Sequence, residues 1–548
     1  MALQRSEIFK LSEEYLNLFL EYDVISATYL NIHKYNDMWN DASFHEVDPF
    51  LKVVKKYRKS IASAEVLDTY DEIAQKVMLK ELDDYIRDAG DYFYYGYWGS
   101  IFSDPEIIYE TFKEMPRATP KDIRNAVKRM EAIPELITEW ISALKDVAEK
   151  DIVNAKLRVG FTIDVINNCS KGKFVKQAMI IAPGHARLLK AAKQAELAYE
   201  QLAAWLEVKY MPIAKDDWRV GEERYVKMAE MYSSVKVNPR ELYEWGLRDL
   251  EKINKEMWKV AKKIKPDATE LIEIRDALNA DPAYTIHGVD NFKKYLEGII
   301  QFAIKELNGS VFDIPVKARN CIVIMDDDTL DESPYYMSGS DDLEVPGRTY
   351  YPIVGRESFS TWENYSTWFH ESVPGHHLQF VTAALNKKTL SKWQRTLGWN
   401  SGYAEGWALY SEKLMDELGY FKDPGYKMGY LMCQAMRAAR LVVDTGLHLG
   451  YEDEQGEVWT FDSAVKFMEE RALLQHRYAV NEIKRYISLA GQAVSYKIGE
   501  KIWLEARADA EKRLGDKFDL KKFHMHALRL GPMPLDLFKE EIAKWNGR

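Results

Sequence analysis

Proline and glycine stand side by side inside a histidine-rich stretch, His370-Glu371-Ser372-Val373-Pro374-Gly375-His376-His377-Leu378-Gln379, and no regular helix runs through such a pair. Pro374 removes a backbone donor and Gly375 permits dihedrals that other residues avoid, so a helix carrying His370 and Glu371 breaks or bulges there. On an unbroken helix, at about 100° per residue, His376 would lie roughly 240° round from His370. His377 would share the face of His370 but sit roughly 10 Å further along the axis, too far to share an ion easily. The break can bring His376 back toward His370.

Three of the chain's eleven histidines fall in this stretch, beside a carboxylate. A second carboxylate, Glu405, follows in Tyr403-Ala404-Glu405-Gly406-Trp407-Ala408-Leu409-Tyr410. A water-activating zinc site needs imidazole and carboxylate ligands, an open fourth position, and a carboxylate outside the ligand set to take a proton. His370, one of the two following histidines and Glu405 can be the ligands, with Glu371 as the base. The match to H-E-x-x-H is incomplete, because the fifth position is Pro374 and the next histidine comes two residues late. Glu405 alone also reads as a helix N-terminal carboxylate offsetting the macrodipole.

The stretch resembles the signature of the bacterial family catalogued as domain of unknown function 885, roughly H-E-x-x-P-G-H-x-x-Q, a branch of the gluzincin metallopeptidases. Position by position, the resemblance implies His370 and His376 as ligands of one Zn2+ per chain, Glu371 as base and Glu405 as third ligand. His377 falls where the pattern is open. Further segments are similar to the family in order: Asp217 to Tyr225, the helix through Glu241 to Ala261 with Gly246, Arg437 to His448, Arg485-Tyr486, Gly491 to Gly499, and Phe523 to Gly531. Together they span roughly residues 200 to 535.

Composition excludes several alternatives. The 548 residues are 47% hydrophobic and 29% charged, ample for a large core. A net charge of -11 and a pI near 5.7 leave no basic stripe for nucleic acid. Cys169, Cys321 and Cys433 are an odd number at wide spacing, the usage of a reducing compartment. The N-terminus meets charge at once, and no apolar run approaches the roughly 20 residues of a membrane span. A cytoplasmic protein with no nucleic-acid or membrane partner is expected, with a homodimer left open.

Up to about residue 240 the spacing predicts helices almost throughout, Leu51 to Ile61 and Lys190 to Tyr210 among them. Residues 1–215 form the expected helical scaffold and 216–548 the catalytic region, together one compact body. The aromatic run Tyr92 to Trp98 reads as packing by large rings, with one wall of a substrate cleft as the alternative. Cys321 to Met325 reads as a strand ended by Asp326-Asp327-Asp328, a turn rather than a calcium loop. Residues 348–354, with Tyr350 and Tyr351, are the candidate edge strand for an extended peptide, an ordinary sheet edge being the alternative. Glu357 to Phe369 reads as the first turns of the metal helix. Glu412, seven residues after Glu405, is either an orienting partner of a ligand histidine or a rival third ligand.

Past the metal ligands, Asp444 and His448 pair at four residues' spacing on a helix, the carboxylate fixing the ring's tautomer. His448, Tyr486 and Tyr496 are the candidate donors to an oxyanion, and Arg485, with Gln492 near it, is suited to a peptide's terminal carboxylate. His524 and His526 read as structural. The expectation is a mainly α protein: a large helical body with a small β element beside a zinc-containing, gluzincin-like active cleft. Its expected activity is hydrolysis of peptide or small amide substrates. A metal enzyme acting on a non-peptide small molecule, and an iron or two-metal redox protein, are the alternatives.

Overall fold

The helices Pro120–Glu131, Pro239–Ile264 and Pro424–Leu449 begin where the chain supplies a capping side chain followed by proline. Thr119, Asn238 and Asp423 each accept backbone N–H groups of the first turn, and Pro120, Pro239 and Pro424 occupy the position whose N–H would have no helical partner. The computed structural model describes residues 6–91, 95, 98–330 and 333–548. It is mainly helical, and among the described residues no helix is long and apolar enough to cross a membrane. The predicted N-terminal helices are present as Leu51–Ser63 and Ala186–Trp205, the latter closing in a π turn, Leu206–Tyr210.

By its contacts the chain divides into two compact units, one of residues up to Trp218 with Ser391–Trp393, the other of Arg219–Leu390 with Gln394–Arg548. The described part of the first is helical. Of the aromatic run, Tyr92, Phe93, Tyr94, Gly96 and Tyr97 lie outside the described residues; Trp98 is buried and packs on Trp140 at 4.5 Å.

The second unit holds every named strand: β1 (Thr285–His287), β2 (Ile322–Asp326), β3 (Tyr335–Met337), β4 (Arg348–Pro352) and β5 (Ser358–Ser360). β1 and β5 pair antiparallel, and the other three form a sheet in the order β2-β4-β3. Two expectations are corrected here. β4 is the middle strand, parallel to β2 and antiparallel to β3, so over Arg348–Tyr350 both of its edges are occupied and no substrate strand can add to it there. Tyr350 stacks on Tyr335 at 4.6 Å, and Tyr351 packs against Phe292 and Phe359 in the core, so neither is free to line a cleft. The edge on that side is β3. Residues Ser358–Ser360 are strand, not helix, because the Ser-Phe-Ser alternation buries Phe359 and finds a partner in β1; the helix starts only at Asn364.

Two helix pairs hold the unit together, each by missing side chains. Gly246 lets the Pro239–Ile264 helix approach Pro424–Leu449 so closely that a Cβ there would meet the Leu441 Cβ at 2.7 Å. The Ser401–Glu417 and Ser495–Leu514 helices touch backbone to backbone: a Cβ on Gly406 would lie 2.4 Å from the Gly499 carbonyl carbon, and one on Gly499 would lie 1.9 Å from the Gly402 oxygen. Backbone cannot rotate away as a side chain can. Gly406→Ala is therefore expected to lower stability by about 1–3 kcal/mol or more. A thermal midpoint equal to the wild type's would show that the helices can part freely.

Candidate metal centre

The break predicted at Pro374-Gly375 ends one helix, Asn364–Glu371, and a second, His376–Leu385, starts directly after it. Between them the Gly375 N–H donates to the Phe369 carbonyl and the His377 N–H to the Ser372 carbonyl. Gly375 is pressed onto the preceding turn, where a Cβ would lie 1.9 Å from the His370 oxygen. Only glycine fits, and the fold-back sets the His376 ring at right angles to His370, centroids 4.8 Å apart.

The Ser401–Glu417 helix adds the carboxylate. Its Trp407 indole N–H donates to the Pro374 and Gly375 carbonyls, fastening that helix to the turn. Glu405, two residues earlier, accordingly reaches both rings: its Oε2 lies 3.2 Å from His370 Nε2 and 3.4 Å from His376 Nε2. One ligand atom from each of His370, His376 and Glu405 falls within 4.8 Å of the others, and all three residues are buried. Two ligand atoms at about 2.0–2.1 Å from a tetrahedral zinc stand roughly 3.3–3.4 Å apart, so these separations suit the ion, and two histidines with one glutamate suit its donor preference.

Glu412 meets the other nitrogen of His370, away from the one that faces Glu405. Its Oε1 lies 2.9 Å from His370 Nδ1, and its other oxygen accepts from the Ser366 hydroxyl. That contact turns His370 Nε2 toward Glu405. Burial alone would raise the Glu412 carboxyl, but His370 and the nearby Arg437 guanidinium hold it below its usual value. His370 is opposed by burial yet raised to about 9 by its bonds to Glu405 and Glu412. Glu412→Gln is expected to weaken metal affinity about 10- to 100-fold without removing a ligand; unchanged affinity by chelator competition would count against the orienting role.

His377 is directed elsewhere. Its Nδ1 lies 3.3 Å from the Tyr336 hydroxyl, and burial lowers its pKa to about 4, a neutral ring in the core. Glu371 is buried beside the centre; desolvation raises its carboxyl, with the charges of His370, His376 and Arg437 opposing.

The remaining candidates separate. The Tyr496 ring lies parallel to His370 at 6.5 Å, and its hydroxyl accepts from Arg485, which also reaches Gln492. Tyr486 turns away: its hydroxyl donates to Glu482, which also receives a forked pair of bonds from Arg440. His448 is fully buried, with Nε2 at 3.0 Å from the Tyr486 carbonyl and 4.0 Å from Asp444. Sequence reading missed Trp407, Tyr336, Ser366 and the role of Arg437. Only Arg437 left a local trace, standing one helical turn before Arg440.

Asp444 carries a pH signature. It accepts from the Tyr225 hydroxyl at 2.8 Å and the Gly491 N–H at 3.0 Å, yet burial pushes its carboxyl from 3.8 up to about 7. The folded protein thus holds this proton more tightly than the unfolded chain. Stability falls as pH rises from about 4 to about 7, by roughly 4 kcal/mol in all, and this cost stays constant above. Asp444→Asn is expected to flatten that slope in urea unfolding across this range. An unchanged slope would mean the carboxylate is ionised at low cost.

A mainly helical body with a buried His–His–Glu group beside a small sheet defines the class of protein. The chain belongs to the family described as bacterial protein of unknown function (DUF885), whose model matches residues 25–542. In fold it is similar to a "putative lipoprotein" of Colwellia psychrerythraea, at 21% identity and a TM-score of 0.86 over 98% of this chain and 99% of that one. It is also similar to a "putative lipoprotein of unknown function" of Shewanella oneidensis, at 19% identity and a TM-score of 0.74 over 98% and 100%. No curated protein matches the sequence.

Proposed function

We propose that the protein is a zinc-dependent hydrolase of the gluzincin type that cleaves amide bonds of peptides. The observation that carries this reading is the convergence of His370, His376 and Glu405 from three helices, with Glu371 buried beside them and outside the set. His370, His376 and Glu405 would hold the ion, which supplies a lowered pKa for a water molecule and polarisation of a carbonyl oxygen. Glu371 takes the proton from water as it attacks the carbonyl carbon, and returns it to the leaving amine. Its raised pKa suits both halves of that exchange. Tyr496 is the favoured oxyanion donor, because its hydroxyl accepts from Arg485 and keeps its own proton to give. Tyr486 commits its proton to Glu482, and His448 is held at a backbone carbonyl. Glu412 keeps His370 in one orientation.

Elemental analysis of the purified protein, with cleavage of a mixed peptide library before and after chelation, tests this reading. One zinc per chain and chelator-sensitive cleavage are expected. One zinc without peptide cleavage would move the reading to a non-peptide substrate, and iron or two metals would sink it. A cytoplasmic location belongs to the same proposal, supported by three free thiols, Cys169, Cys321 and Cys433; recovery in a membrane or exported fraction would overturn it.

A further inference from the structure

A stack of rings runs outward from the centre within the second unit. Tyr336, in β3, lies over the His376 imidazole, centroids 6.3 Å apart and planes 25° apart. The same phenol ring stacks on Phe380 at 5.9 Å, and Phe380 reaches His376 directly at 6.1 Å. Trp399 closes the series, 5.5 Å from Phe380 and 7° from parallel. Exposure rises in the same order: His376 is buried, Tyr336 and Phe380 are partly exposed, and Trp399 is 54% exposed.

Exposed aromatics standing singly need no explanation. This one is held by the elements that build the centre. Phe380 follows His376 by four residues on the His376–Leu385 helix, so the two side chains share a face. Trp399 directly precedes Asn400, whose Oδ1 accepts the Tyr403 N–H at 2.8 Å and so starts the Ser401–Glu417 helix that carries Glu405. The two outer rings are thus fixed to the two helices that supply His376 and Glu405, with Phe380 alone between the indole and the centre.

We infer that Phe380 and Trp399, backed by Tyr336, are a side-chain subsite of the metal centre, and that the substrate carries an aromatic residue flanking the cleaved bond. A planar, uncharged side chain gains most on such a slab, from stacking in addition to the removal of apolar surface from water. The inference rests on the hydrolase reading, which puts the cleaved bond at the centre. Consecutive residues of an extended chain stand about 3.3–3.6 Å apart, so the residues flanking that bond are the ones whose rings reach Phe380 and Trp399.

The test compares four N-acetylated amino-acid hydroxamates, of phenylalanine, leucine, alanine and lysine, by Kd in calorimetry on the full-length, metal-loaded protein. A hydroxamate binds a metal ion directly, so the comparison reads the subsite without turnover. The phenylalanine compound is expected to bind about 10- to 100-fold tighter than the alanine one, and about 2- to 10-fold tighter than the leucine one, the share of stacking alone. In Trp399→Ala the advantage over alanine should shrink by about 5- to 10-fold, the cost of truncating one aromatic contact, at unchanged metal content. Trp399→Phe should restore part of it. Equal binding of the phenylalanine and alanine compounds would overturn the inference even if the peptide library is cleaved, in which case the hydrolase reading survives. Leucine as tight as phenylalanine, or lysine tighter, would overturn the aromatic assignment, and an advantage left intact by Trp399→Ala would overturn the site. A loaded protein that binds none of the four overturns the inference as well. The expected ranking with no peptide cleaved would leave the subsite standing and sink the hydrolase reading instead. Because the wild-type comparison decides by itself, an unstable variant does not rescue the idea.

Discussion

Glu371→Gln is expected to keep its metal and lose turnover by about 10²- to 10⁴-fold, the range of a general base. Glutamine has the shape of glutamate and can still accept a hydrogen bond through its oxygen, but it takes no proton. Glu371 is 7% exposed, adjacent in sequence to His370, and coupled by charge to His370, His376 and Glu405. Its raised carboxyl pKa comes first from burial, which makes it a better base than an exposed glutamate. Metal content by elemental analysis and single-turnover cleavage, measured on the same preparation, separate the outcomes. A variant that cleaves at the wild-type rate removes Glu371 from the chemistry, and one that loses metal makes it a ligand.

The second large effect separates two neighbours. His376→Ala is expected to lose the metal outright, a greater loss than the roughly 10- to 100-fold that follows from disturbing an outer partner. His377→Ala should retain it and lose stability instead, by about 1–3 kcal/mol, since a buried ring packed against Tyr336 is replaced by a void. Of these two neighbours it is His376 that faces Glu405, at 3.4 Å, while the His377 ring points to β3. Metal retained in the first variant and lost in the second would reverse the ligand assignment, and with it the reading of the fold-back at Gly375.

What could be read from residues alone was local. Pro374-Gly375 dictates a break wherever the segment sits, because a missing N–H and a missing Cβ act on their own backbone, and the two helices end and start there. Capped, proline-started helices such as Pro239–Ile264 follow from the first turn's own groups. The break also allows His376 to return toward His370, but the choice of His376 over His377 and of Glu405 as the third member was implied by a family resemblance, since Glu405 comes from another helix.

Only the tertiary structure decided the rest, for one physical reason: each outcome depends on a partner distant in sequence. Residues 348–354 look like an edge strand until β2 and β3 occupy both sides of β4. Ser358–Ser360 continues a helical pattern until β1 pairs with it. Tyr486 and Tyr496 are equivalent candidates on paper, and Arg440 with Glu482 takes the hydroxyl of one while the other is left beside His370. Trp407 could not be assigned until its indole met the Pro374 carbonyl, because a hydrogen bond between two elements leaves no periodic signal in either.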